Sequence, residues 1–151
     1  MRADSHERPL RRVFGRLRLL PDAVVVVWWL GVAELGVRLV TLPRVARLMG
    51  APLAVDEVLD SPRRLSVRPV ERRRLQLVET LGARWPFCAG PCLRQALVAG
   101  HVLRRWHPRL RIGARLDSTA IAAHAWVEVA GQSVGNQGGF VPLSAPAGER
   151  T

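Results

Sequence analysis

The chain of 151 residues has no lysine, no tyrosine, two cysteines and four histidines. Each shortage removes a class of protein. Two cysteines cannot build the multi-bridge framework of a small exported domain, and they suit a reducing compartment. Cys88 and Cys92 stand four apart, but His6, His101, His107 and His124 are scattered. No paired second half of a zinc site exists, so neither a metal nor a cofactor is expected. A Cys88–Cys92 disulfide is disfavoured by the same reducing setting, and Cys88 reads as a small packing residue. With lysine absent, all 23 basic residues are arginine, spread from Arg2 to Arg150, for a net charge of +11. That charge alone would suggest nucleic acid. The five Trp and three Phe sit mostly in apolar runs, and no groove-reading motif accompanies them, so a nucleic-acid partner is not expected. Arginine used in place of lysine is the first reading, and a surface for an anionic protein or peptide the second.

An export signal is not expected either. Arg11-Arg12-Val13-Phe14 faintly resembles a twin-arginine signal and an apolar run, Ala23 to Ala33, follows it. Pro21-Asp22 interrupts the two, and no small-x-small cleavage site comes after the run. Glu34 and Arg38 arrive before twenty apolar residues accumulate, which reads as too short to span a bilayer. A buried or membrane-grazing amphipathic helix is expected instead, with membrane association the weaker reading and a cytoplasmic location the expected one.

What is present divides in two. Helical signals come first: Asp22 as N-cap of a helix to about Val40, Pro43 in the first turn of a short helix ending before Gly50, and an amphipathic stretch from Val70 to Leu81 closed by Gly82. Ala51 to Pro69 carries three prolines and reads as a loop with at most one helical turn. After the turn-rich Trp85 to Pro91, Cys92, Ala96, Ala99, Leu103 and Trp106 keep the spacing of one helical face. Gly100 within that helix, costing about 1 kcal/mol relative to Ala, signals a close neighbour. Strand signals come last, at Leu110 to Leu116, Ala123 to Val129 and Gln132 to Val134. Helices first and strands last predict an α+β fold with an antiparallel sheet.

Cys92 and His124 carry the chemistry. A cysteine at a helix start and a histidine at a strand start give a thiol hydrolase its parts, because both the helix amino-terminus and the imidazole favour the thiolate. An inert buried thiol and a core histidine are the plain alternatives for each residue alone. Asn136, twelve residues after His124, could return beside the ring and orient it; Asp117, in the strand-connecting loop, and Glu128, about 13 Å along the strand, are the other candidates.

Cys92-Leu93-Arg94-Gln95-Ala96-Leu97, the 32-residue step to His124, and Ala123-His124-Ala125-Trp126-Val127-Glu128-Val129 resemble the transglutaminase-like cysteine peptidase of lasso-peptide biosynthesis, the B protein in its stand-alone leader-peptidase form. The resemblance covers about Val70 to Phe140. It implies a papain/transglutaminase-like core over 70–142, preceded by a helical extension over 1–69 and followed by a flexible tail over 143–151. It also implies Cys92 as nucleophile and His124 as base, with precursor peptide, leader-binding protein and lasso cyclase as partners. The family usually has an acidic residue where Asn136 stands, so a catalytically weak or inactive scaffold is the alternative. The papain-type oxyanion glutamine has no counterpart before Cys92; Trp85 is the candidate second donor.

Overall fold

The computed structural model describes residues 7–54, 65–87, 90–117, 120–135 and 139–143. Helices α1 (Glu7–Leu39), α2 (Leu42–Leu48), α3 (Pro69–Gly82) and α4 (Cys92–Val102) precede strands β1 (Arg109–Asp117), β2 (Ala120–Val129), β3 (Gln132–Val134) and β4 (Val141–Pro142). A short 3-10 turn, Arg104–Trp106, closes α4. The strands form one antiparallel sheet in the order β3-β2-β1-β4. The fold is α+β with a small curled antiparallel sheet and a helical amino-terminal part.

Helix α4 is central. Ala96, Leu97, Val98 and Gly100 are all buried, because α1, α3 and β2 each cover a side of it. Val26, Leu30 and Ala33 of α1, Val45 and Ala46 of α2, and Val78 of α3 complete one core with Ala125, Val127 and Val129 of β2. Gly100 marks the tightest crossing: a Cβ there would come within 2.4 Å of the Ala51 Cβ. Gly100→Ala should therefore destabilise the protein by about 1–3 kcal/mol, despite the gain in helix propensity. Thermal unfolding reads the sign; a raised Tm would contradict the crossing.

Three expectations are corrected. Asp22 is not an N-cap, because α1 runs through Pro21 from Glu7. Its carboxylate, 5% exposed, instead accepts from Arg74 Nε at 2.8 Å and lies 3.4 Å from Arg73. A cap satisfies its own backbone; here two guanidinium groups of α3 compete for the same oxygens and win. Of the arginine run in α3, Arg72 and Arg73 are exposed while Arg74 turns inward. Next, the run after Pro21 is not short: Leu20–Leu39 is long and apolar enough to cross a membrane by length and composition. Glu34 within it is buried, with its charge met by Arg38 and Arg94. Val26, Leu30 and Ala33 face the core, while Leu20, Val24, Trp28, Leu35 and Leu39 are exposed. Last, Asp117 ends β1 and pairs with Ala120, so it belongs to the ladder and not to a loop.

Candidate active site

Cys92 is the first residue of α4, half-buried and not disulfide-bonded. Pro91 at the N-cap offers no side-chain acceptor, and the amides of the first turn have no partner within the helix. Proline suits this place because its fixed φ begins a helix and its missing N–H costs nothing there.

His124 lies in β2 directly opposite Gly113 of β1. Pairing in β1–β2 is regular, so alternation puts His124, Trp126 and Glu128 on one face and Ala125, Val127 and Val129 on the other, towards α4. The imidazole packs 4.9 Å from the Phe140 ring and 6.2 Å from that of Trp126, nearly parallel to the latter. Gly113 makes room for this arrangement: a Cβ there would come within 2.7 Å of the Trp126 indole. Strand β3 pairs only with Val127–Val129, leaving the stretch of β2 around His124 without a described strand on that edge.

Both residues line one cleft. A cleft of about 280 Å³ is lined by Cys92, Gln95, Ala96 and Ala99 of α4, by Leu75, Val78 and Glu79 of α3, by His124 to Val127 of β2, and by Val134 and Gly135. It takes residues from both faces of β2. Its walls are mainly apolar, and Cys92, His124, Gln95 and Glu79 are among the residues that line it. Gln95 is itself fixed, donating from Nε2 to the Glu79 carbonyl at 3.2 Å and lying against Gly82, where a Cβ would be 2.5 Å from its side chain.

Of the candidates for a third residue, Glu128 and the Asp117 backbone are among the described residues. Glu128 is already used: Oε1 accepts from Trp126 Nε1 at 3.1 Å and Oε2 from Arg111 Nε at 3.0 Å. Arg111 also reaches the Ala54 carbonyl, so this carboxylate ties β1, β2 and the 52–54 segment together. Asp117 pairs with Ala120, four positions along the ladder from His124, or about 13 Å. Asn136 and Cys88 lie outside the described residues; Gly135, the neighbour of Asn136 in sequence, lines the cleft. The Trp85 indole N–H is buried with no hydrogen-bond partner among the described residues, but its side chain is not one of those lining the cleft.

A group that the sequence did not reveal holds the Cys92 segment in place. Glu34, 7% exposed, accepts from Arg94 Nε at 3.0 Å and from Arg38 Nε at 2.7 Å. Arg38 in turn donates to the Phe87 carbonyl at 3.0 Å. One carboxylate of α1 thus fixes both the first turn of α4 and the bridge leading into it. Burial alone would raise the Glu34 pKa, but the hydrogen bonds and charges of Arg94 and Arg38 outweigh it and hold it below the ordinary 4.5. The available signal was its phase: Glu34 falls on the inward stripe of Val26, Leu30 and Ala33.

A sequence model of the transglutaminase-like superfamily matches residues 22–144. The chain belongs to the transglutaminase-like superfamily. No curated protein and no solved structure matches it. The superfamily match begins inside α1 and runs past β4, so it takes in Glu34 as well as Cys92 and His124. The transglutaminase-like fold commonly serves cysteine peptidases and acyl transferases, both of which proceed through attack of a thiolate on a carbonyl.

Proposed function

We propose that this transglutaminase-like protein is a cysteine endopeptidase that removes the leader from a ribosomally made lasso-peptide precursor. It acts in the cytoplasm with a separate leader-binding protein and a cyclase. The observation that carries the reading is the shared cleft of Cys92 and His124, one at a helix start and the other in a stretch of β2 that β3 does not pair with. The motif Ala123-His124-Ala125-Trp126-Val127-Glu128-Val129 supports the narrower assignment.

In this mechanism His124 takes the Cys92 proton and the thiolate adds to the scissile carbonyl. The tetrahedral oxyanion is met by the free amides at the start of α4. Collapse expels the leaving amine, which takes the proton from His124 and becomes the new amino-terminus of the core peptide. Water, deprotonated by His124, then releases the leader from the thioester. Asn136 orients the imidazole through its amide oxygen.

Incubating the purified chain with a lasso precursor and its leader-binding protein should yield leader and core fragments by mass spectrometry. An intact precursor, in a preparation whose Cys92 still alkylates, would sink the proposal. The Asn136 position favours one second reading, a scaffold of the same fold that holds precursor or cyclase without cutting. That version predicts precursor binding without fragments and slow alkylation of Cys92 at neutral pH.

A further inference from the structure

A second cavity, of about 420 Å³, opens on a different face of α4 between α1, α3 and the turn after α4. Its ionisable lining is Arg68, Arg74, Arg104, Arg105, Glu71 and His101, four permanent cations against one carboxylate. Glu71, 7% exposed, is already held by Arg105 Nε at 2.8 Å and by the Arg68 backbone N–H at 2.8 Å. Arg74 is committed to Asp22. The guanidinium groups of Arg68 and Arg104 have no carboxylate partner among the described residues. Arg104 instead donates from NH1 to His101 Nε2 at 2.7 Å, a bond that requires the imidazole to be neutral. Burial, then the charges of Arg104 and Arg74, keep His101 below its ordinary 6.5, with a Met49 backbone contact acting the other way. Cations gathered around a partly desolvated cavity repel one another, and an anion between them relieves that repulsion.

The other half of the wall is apolar, formed by the Trp29 indole, which lies 3.6 Å from the His101 ring, and by Val25, Val98 and Val102. A bare inorganic ion would leave that surface wet. A guanidinium fork matches a carboxylate, and Glu71 already shows a carboxylate gripped within this wall. We propose that the cavity binds an acidic peptide segment, its carboxylate held by Arg68 and Arg104 and an adjacent apolar side chain seated against Trp29 and the valines. His101 is nine residues beyond Cys92, about 14 Å along α4, so this site is separate from the cleft.

The test is a titration of the full chain at constant ionic strength, followed by the His101 ring resonances and tryptophan fluorescence. The probes are a Glu-Leu-Glu peptide, its Gln-Leu-Gln counterpart and inorganic phosphate. Saturable binding of the acidic peptide is expected, with the His101 pKa moving upward on saturation. A double variant, Arg68→Gln with Arg104→Gln, should bind at least tenfold more weakly; both residues are exposed, so unchanged thermal unfolding serves as the control. Equal binding of the Gln peptide, undiminished binding by the folded double variant, or phosphate binding as tightly as the peptide would overturn it. Neither substitution touches Cys92 or His124, so failure here and failure of the peptidase reading are distinguishable.

Discussion

Replacing Cys92 or His124 with alanine should each lower kcat/KM for precursor cleavage by at least about 10³-fold, and replacing both should cost little more than either alone. The two would act as a unit: without the imidazole the thiol is not deprotonated on demand, and without the thiol the imidazole has no nucleophile to activate. The cleft that both residues line is the structural reason to expect this coupling. The measurement is a double-mutant cycle on kcat/KM, supported by alkylation of Cys92 at neutral pH. His124→Ala should slow that alkylation while leaving Tm near its original value. Full cleavage by Cys92→Ala, or losses that multiply in the double variant, would remove these residues from the mechanism.

Glu34→Ala should destabilise the protein by roughly 3 kcal/mol, a Tm decrease of about 6–12 °C for a chain of this size. Removing the carboxylate leaves Arg94, whose side chain is only 16% exposed, without its partner and frees Arg38 from the arrangement that reaches Phe87. The isosteric Glu34→Gln keeps an acceptor and should cost less. The pH dependence follows from the sign of the shift. A carboxylate with its folded-state pKa below 4.5 contributes stability that is fully present above the unfolded value and is lost as pH falls through the folded one. The Tm gap between wild type and Glu34→Gln should therefore be widest at neutral pH and narrow below about pH 4.5. A gap independent of pH would mean that Glu34 acts by packing alone. Because the same carboxylate sets the first turn of α4, Glu34→Gln should also lower cleavage at temperatures where the variant remains folded.

Much of the architecture was legible because local chemistry and tertiary demand agree. Pro43 and Gly50 bound α2, Pro69 begins α3, and Gly131, at positive φ, lies in the turn from β2 to β3, each where its backbone preference is met. Gly100 signalled a close neighbour and has one in Ala51. The errors occur where a distant partner overrides local preference. Pro21 ordinarily breaks a helix, at about 3 kcal/mol, yet α1 continues through it because the residues beyond are held by the core and by Arg74. Glu34 looked like the end of an apolar run because the arginines that neutralise it stand 4 and 60 residues away.

From composition and spacing alone came the α+β class, the helix start at Cys92 and the strand at His124. Those are consequences of hydrophobic period and of proline and glycine geometry, which act over a few residues. The tertiary structure decided which carboxylates are already spent on arginine and indole, and that α1 supports the thiol-bearing turn. It also decided that four guanidinium groups from two separate stretches of chain surround one cavity. Charge pairing is settled by distance in space, and a charge pattern along the chain does not encode which partner will arrive.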